Sequence, residues 1–259
     1  MLPSPFWSDL TTADMSRLPM QDVIAVLPVA AVEQHGPHLP LGTDAMIMEG
    51  YLARVVARLP ADMPVSFLPV QTIGLSEEHR AFPGTLTLSP EAAIAAWTRI
   101  GESVQRAGCR KLVILSSHGG NSAVVDLVAQ ALRVTLGLVV VTVSWQRFGY
   151  PIGLFGEAEQ RLGIHGGDIE TSLMLAFAPD KVRMGEAAAF ASRGEAMEKD
   201  FTWLRLARPA GFAWMAQDLN PAGVVGDASA ATAAKGEAAA EHGANAFITL
   251  LREVQRFSL

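Results

Sequence analysis

Only one cysteine, Cys109, occurs in the 259-residue chain, so no intramolecular disulfide can form and nothing calls for an oxidising compartment. Cys109 reads as a small buried filler. Charge is scarce as well: 18% of residues are charged against 50% hydrophobic, and mean hydropathy is +0.26. That balance excludes a disordered polymer, a collagen or a coiled coil, and predicts a compact globule or a buried subunit contact. Basic residues are the minority, with 20 Lys and Arg against 26 Asp and Glu, and the net charge of -6 repels a phosphate backbone. No nucleic-acid partner is expected. No stretch stays apolar long enough to span a bilayer, and Met1 to Leu10 carries Asp9 with no basic cluster ahead of an apolar run. A cytoplasmic protein with no membrane partner is the expectation. Two catalytic signatures are also missing. Without a Gly-x-Ser-x-Gly elbow a serine hydrolase lacks its nucleophile, and without a phosphate-binding Gly-x-x-x-x-Gly-Lys-Ser/Thr loop nucleotide hydrolysis has no support.

What the chain does have is an alternation of apolar runs. Asp22 to Ala31, Val65 to Val70, Lys111 to Ser117 and Leu138 to Ser144 are short and rich in β-branched residues, as buried strands are. Between them lie helical patterns. Met48, Leu52, Val55, Val56 and Leu59 recur at helical spacing after Asp44; Ser89-Pro90-Glu91 opens a second helix that Gly108 closes; Asn121 or Ser122 caps a third that ends at Gly137. A long C-terminal helix is expected from a cap near Asp227, buried through Phe247, Leu250, Leu251, Val254 and Phe257. The predicted class is α/β: a doubly wound, mostly parallel sheet with helices on both faces, in a single domain over residues 1–259.

In such a sheet the loops leaving the carboxyl ends of the strands share one edge, where ligands bind. The polar residues gather there. Glu33-Gln34-His35-Gly36-Pro37-His38 follows the first strand, Glu77-Glu78-His79 the second, and His118-Gly119-Gly120-Asn121 the third. Imidazoles mixed with carboxylates suit zinc, manganese or iron better than calcium. If Glu33-Gln34-His35 continues extended, Glu33 and His35 face one side and Gln34 the other, so the pair could serve neighbouring metals. Asp44 could bridge two ions or cap its helix. Gly119 and Gly120 leave backbone donors free for a substrate oxygen. His165, flanked by Gly166 and Gly167, reads as a proton carrier, while Asp168 could cap the next helix. Glu78 and His79 could line the pocket or orient a ligand, and Trp145, Trp203 or Trp214 could cover substrate or simply pack.

The ordered set Glu33-x-His35-Gly36-x-His38-Leu39-Pro40-x-x-Thr43-Asp44, Glu78-His79-x-x-Phe82-Pro83-Gly84-Thr85, Ser117-His118-Gly119-Gly120-Asn121, His165-Gly166-Gly167-x-x-Glu170-Thr171-Ser172 and Gly223-Val224-x-Gly226-Asp227 resembles the creatininase (creatinine amidohydrolase) family. The resemblance runs over most of the chain. It implies a dinuclear metal amidohydrolase of doubly wound α/β fold, commonly hexameric, in a family that also holds a formamide hydrolase of deazaflavin synthesis and a peptidase of mycofactocin maturation. By resemblance, Glu33, Asp44 and His118 hold one metal, His35 and a bridging Asp44 the second, and His165 is the catalytic acid/base. Two positions depart from creatininase itself. Gly120 stands where creatininase has a metal-binding glutamate, a role Glu170 is expected to assume beside its catalytic one, and Arg161 stands where creatininase has a tryptophan over its substrate.

The expected function is therefore metal-dependent hydrolysis of a C–N bond in a small amide, cyclic amide or formamide, by a water that two divalent ions activate. Glu78, His79, Gly119, Gly120 and Trp145 are the candidate substrate contacts. Creatinine hydrolysis proper, a peptidase of a modified-peptide pathway and a metal-binding sensor are the alternatives, and a homo-oligomer is expected.

Overall fold

The β-branched runs become four parallel strands in the computed structural model, which describes residues 2–259. They are β1 (Ile24–Val29), β2 (Val65–Phe67), β3 (Lys111–Ser116) and β4 (Val139–Ser144), hydrogen-bonded in the order β2-β1-β3-β4. Each is shorter than the run that marks it. β2 stops at Phe67 because Pro69 has no N–H to extend the ladder. The helices are α1 (Thr12–Arg17), α2 (Thr43–Arg58), α3 (Pro90–Arg106), α4 (Ser122–Leu136), α5 (Glu157–Leu162), α6 (Asp168–Phe177), α7 (Arg193–Asp200), α8 (Ala216–Leu219) and α9 (Ala233–Arg256). A small antiparallel pair joins β5 (Ala189–Phe190) to β6 (Gly226–Asp227).

Alternate side chains of β1 feed two separate cores. Ile24 and Val26 pack with Met48, Tyr51 and Val55 of α2, Met174 of α6 and Phe247 of α9. Ala25, Leu27 and Val29 pack with Trp97 and Val104 of α3 and Val128 and Leu132 of α4. The sheet is thus covered on both faces, in the doubly wound α/β arrangement that its apolar strands require. Cys109 is buried in the second core, and burial pushes its thiol up to about 11. Among the described residues no helix is long and apolar enough to cross a membrane.

Helix starts follow the sequence in one case and depart from it in two. The Ser89 hydroxyl accepts the Ala92 N–H, as a cap should. Neither Asn121 nor Ser122 caps α4 with its side chain. Asn121 instead accepts the Leu75 N–H at 2.9 Å and donates to the Ala30 carbonyl at 3.0 Å, tying together two loops at the carboxyl edge. The C-terminal helix is capped by Thr232, whose hydroxyl accepts the Lys235 N–H, and not near Asp227, which lies in β6. Phe257 falls beyond its last turn and is 49% exposed, while Leu250 is only half-buried.

The alanine and glycine content of α9 has a packing reason. A Cβ on Gly236 would lie 1.8 Å from the Ser172 carbonyl oxygen, and one on Gly243 would lie 2.6 Å from the Tyr51 ring. Small residues let α9 sit directly on α6 and α2. Gly236→Ala should therefore lower the urea midpoint, because a backbone clash of about 1–3 kcal/mol exceeds the roughly 1 kcal/mol that alanine gains in helix propensity.

Candidate metal centre

The chain leaves β1 toward β2 on one side and β3 toward β4 on the other, so the crevice between the carboxyl ends of β1 and β3 is the topological switch point. Glu33, Gln34 and His35 line the exit from β1. Gly36, with φ of +72°, then turns the chain where a side chain would strike Val224 at 2.8 Å. Asp44 enters from the first turn of α2, whose N-cap is Gly42, so its carboxylate is not used as a cap. The Ser117 hydroxyl donates to the Asp44 carbonyl at 2.8 Å and fixes α2 against the end of β3. Glu78 and His79 come from a single 3-10 turn, His118 follows Ser117 directly, and Glu170 occupies the first turn of α6.

These segments bring carboxylates and imidazoles together. His118 Nδ1 lies 3.2 Å from Glu33 Oε1 and 3.5 Å from Asp44 Oδ2. His35 Nε2 lies 3.9 Å from Asp44 Oδ1 and 3.7 Å from Glu170 Oε2. Asp44 therefore stands between the two histidines. His79 Nε2 and His165 Nδ1 face the same Glu33 Oε1 at 3.4 and 3.6 Å, and Glu78 Oε1 lies 3.5 Å from His118 Nε2. Glu33 with His35 and Asp44, and His35 with His165 and Glu170, each offer ligand atoms within 4.8 Å of one another.

Hydrogen bonds settle which ring nitrogen is free. His118 Nε2–H donates to the Leu75 carbonyl at 2.9 Å, which leaves Nδ1 as the nitrogen facing Glu33 and Asp44. His35 Nδ1–H donates to the Glu33 carbonyl at 3.1 Å, leaving Nε2 free. The Gln34 amide NH2 donates to the Gly223 carbonyl at 2.5 Å and to His79 Nδ1 at 2.8 Å, so the remaining His79 proton sits on Nε2 and points at Glu33. His165 Nε2–H donates to the Gln34 carbonyl at 2.8 Å and turns its Nδ1 lone pair inward. Gln34 is the residue that sequence reasoning passed over. Its place between two candidate ligands was the available signal, but its contacts lie 45 and 189 positions away along the chain.

Both Glu33 carboxylate oxygens, Asp44 Oδ2 and His35 Nε2 are buried without a hydrogen-bond partner among the described residues. Orphaned carboxylates in a dry crevice are costly unless a cation joins them. The donor set, carboxylate oxygen with imidazole nitrogen, fits a pair of divalent ions of the zinc, manganese or iron kind. The electrostatics agree. Burial opposes the charge of His118, yet Glu33, Asp44 and Glu78 around it prevail and push its pKa up to about 10. Burial and the neighbouring carboxylate Glu33 hold Asp44 well above the usual range. Burial and the adjacent His35 push His165 down to about 4, and burial with His165 pushes His79 down to about 2, so both are neutral bases at pH 7.

Sequence comparison places this geometry among known proteins. The family model described as creatinine amidohydrolase matches residues 8–251. The chain belongs to the creatininase family. It is 34% identical over 190 residues to a mycofactocin precursor peptide peptidase of Mycobacterium tuberculosis, covering 69% of this chain and 68% of that protein. It is 30% identical over 203 residues to a creatinine amidohydrolase of Pseudomonas putida, covering 70% and 75%. A crystal structure of creatinine amidohydrolase superposes with a TM-score of 0.80 at 24% identity, over 99% of this chain and all of the other. The buried His, Glu and Asp clusters are those of a dinuclear divalent-metal site in a metal-dependent hydrolase of this family.

The remaining candidates divide between cluster and cavity. Gly119, Trp145 and Glu170 line a cavity of about 320 Å³ beside the cluster. Trp145 also stacks on Tyr51 at 4.0 Å, so it packs and lines at once. Glu78 and His79 stand in the cluster. Gly120 packs behind it, where a Cβ would lie 2.4 Å from Glu78 Oε1 and from His118 Nε2. No side chain fits there: the Glu78 carboxylate occupies the space. Arg161 is exposed and paired with Glu198.

Three measurements test the centre. Asp44→Asn should lose metal from both positions, read as a fall from two equivalents by elemental analysis. In the wild type, metal at 100 times its Kd should add about 2.7 kcal/mol of stability. Metal uptake at pH 7 should also release about one proton or more, because His118 is protonated below about 10 and must shed the Nδ1 proton to ligate. Calorimetric heats would then vary with buffer ionisation enthalpy, and the proton release would fade as pH rises through 10.

Proposed function

We propose that this protein hydrolyses a C–N bond in a peptide-derived substrate, as a dinuclear metal hydrolase of the peptidase type within its family. The observation that carries the choice of substrate is kinship: mycofactocin precursor peptide peptidases from several mycobacteria match at 30–34% identity, two of them over 90% of this chain. Gly120 supports it, since the resemblance to creatininase itself calls for a glutamate at a place that Glu78 already fills. Creatinine is the second substrate to test, on the strength of the Pseudomonas relative. Homo-oligomeric assembly and a cytoplasmic location belong to the same proposal.

Glu33, Asp44 and His118 would hold one ion, and His35, Asp44 and Glu170 the other. Bound there, such ions would supply a water of pKa lowered toward about 7 and a Lewis acid for the carbonyl. The chain supplies the rest. Asp44, between both histidines, sets the spacing of the two positions. His165, neutral at pH 7 and tilted between His35 and His79 with ring centres 4.2 Å from each, accepts a proton at Nδ1 and returns it to the leaving nitrogen. Gln34 holds it in that tautomer through its backbone carbonyl. Gly119, open to the cavity, presents a backbone N–H at the developing oxyanion. Glu78 and His79 orient His118 and Glu33 from behind.

Metal-loaded protein should cleave short peptides faster than creatinine. His165→Ala should retain two metal equivalents while losing about 10²- to 10⁴-fold in kcat. Joint loss of metal and activity would make His165 a ligand, and two equivalents of metal with no turnover of any amide would favour a sensor.

A further inference from the structure

The cavity beside the cluster is a room with apolar walls. Ile47 of α2, Trp145 and Tyr150 beyond β4, Ile164 ahead of His165, and Ile169 and Leu173 of α6 form them. Gly119 and Glu170 mark its inner end, so a substrate with its amide at the cluster must extend the neighbouring group into this space. At about 320 Å³ it is twice the size of the roughly 150 Å³ engineered cavity that accepts a benzene ring. A flat polar ring alone would leave much of it empty.

The walls are fixed before a ligand arrives. Trp145 lies flat on Tyr51 at 4.0 Å with Phe247 edge-on at 5.3 Å, and Tyr150 meets Phe155 edge-on at 5.0 Å. Ile164 is the exception, 43% exposed at the mouth and one residue from His165, where an apolar ligand would cover it. None of the described residues lining the cavity is Lys or Arg. Its one carboxylate, Glu170, already accepts the Gly166 N–H at 2.7 Å and faces His35. Ser117, Gln146 and Gln160 add uncharged polar groups to the mainly apolar lining, so a charged side chain entering here could gain hydrogen bonds but no free counter-charge to offset its lost water.

We propose that this cavity is a side-chain subsite selecting an uncharged aliphatic or aromatic residue, of leucine to tyrosine size, next to the scissile C–N bond. The inference rests on the peptide reading for the bond that is cut, but not for the group that is bound.

The test uses the full metal-loaded chain with N-acetyl-Gly-X-Gly-amides, X being Gly, Leu, Phe, Lys or Asp, and calorimetric binding of the N-acetyl-X-amides. Leu and Phe should exceed Gly by about 10- to 200-fold in kcat/KM, with Lys and Asp no better than Gly. Ile164→Glu, at an exposed position that tolerates charge, should shrink the Phe-to-Gly ratio at least about tenfold and raise Lys relative to Phe. Turnover with no dependence on X, or a preference for Lys or Asp, would overturn the subsite and leave the peptide reading standing. Tighter binding of the Leu and Phe amides with no peptide cleaved would support the subsite and overturn the peptide reading.

Discussion

Everything at the carboxyl edge of the sheet follows from one electrostatic demand: the Glu33 carboxylate is buried completely, and the imidazoles that face it at 3.2 to 3.6 Å complete no hydrogen bond to either oxygen among the described residues. Three imidazoles face one of those oxygens, and a second carboxylate, Asp44, faces the same His118 Nδ1. Without a cation the surrounding carboxylates drive His118 up, burial and Glu33 hold Asp44 well above the usual range, and burial with neighbouring imidazoles drives His79 and His165 down. A pair of divalent ions satisfies all of these groups together. The site is costly to the metal-free fold and for that reason strongly linked to metal.

The scaffold meets that cost with close packing around the crevice. Gly36, Gly120 and Gly236 each stand where a side chain would strike a neighbour, and the three together let the β1 exit loop, the β3 exit loop and the α6–α9 pair approach the same point. The Asn121 amide and the Ser117 hydroxyl then pin adjacent segments through backbone carbonyls. Glu78 is the clearest case of compensation. Its carboxylate fills the room left open by Gly120 and so keeps an acid beside His118 from a different loop.

Division of labour between cluster and cavity gives the family its range. The cluster supplies a reaction that any amide could undergo, whereas the residues beyond it decide which amide arrives. In this protein the second group is mainly apolar and held by aromatic packing, and its exposed isoleucine, Ile164, is adjacent in sequence to His165.

The fold was legible from sequence because its signals are local: β-branched runs read as strands, and Ser89-Pro90-Glu91 reads as a helix start whatever surrounds it. Glu33, His35, Asp44 and His118 were legible for a related reason, since strand ends in a parallel sheet share an edge. Local signals misled where a distant group outbid them. Asn121 abandons its helix for Ala30 and Leu75, Thr232 caps α9 in place of Asp227, and Phe257 lies past the end of its helix. The amino-acid order alone thus determined the layers of the molecule and the ligand-bearing loops, because periodicity and loop polarity are written residue by residue. Only the tertiary structure decided that Gln34 sets two histidine tautomers, that Glu78 stands in the space at Gly120, and that an apolar cavity opens beside the cluster. Those are contacts between segments far apart in the chain, and no local pattern encodes their distance.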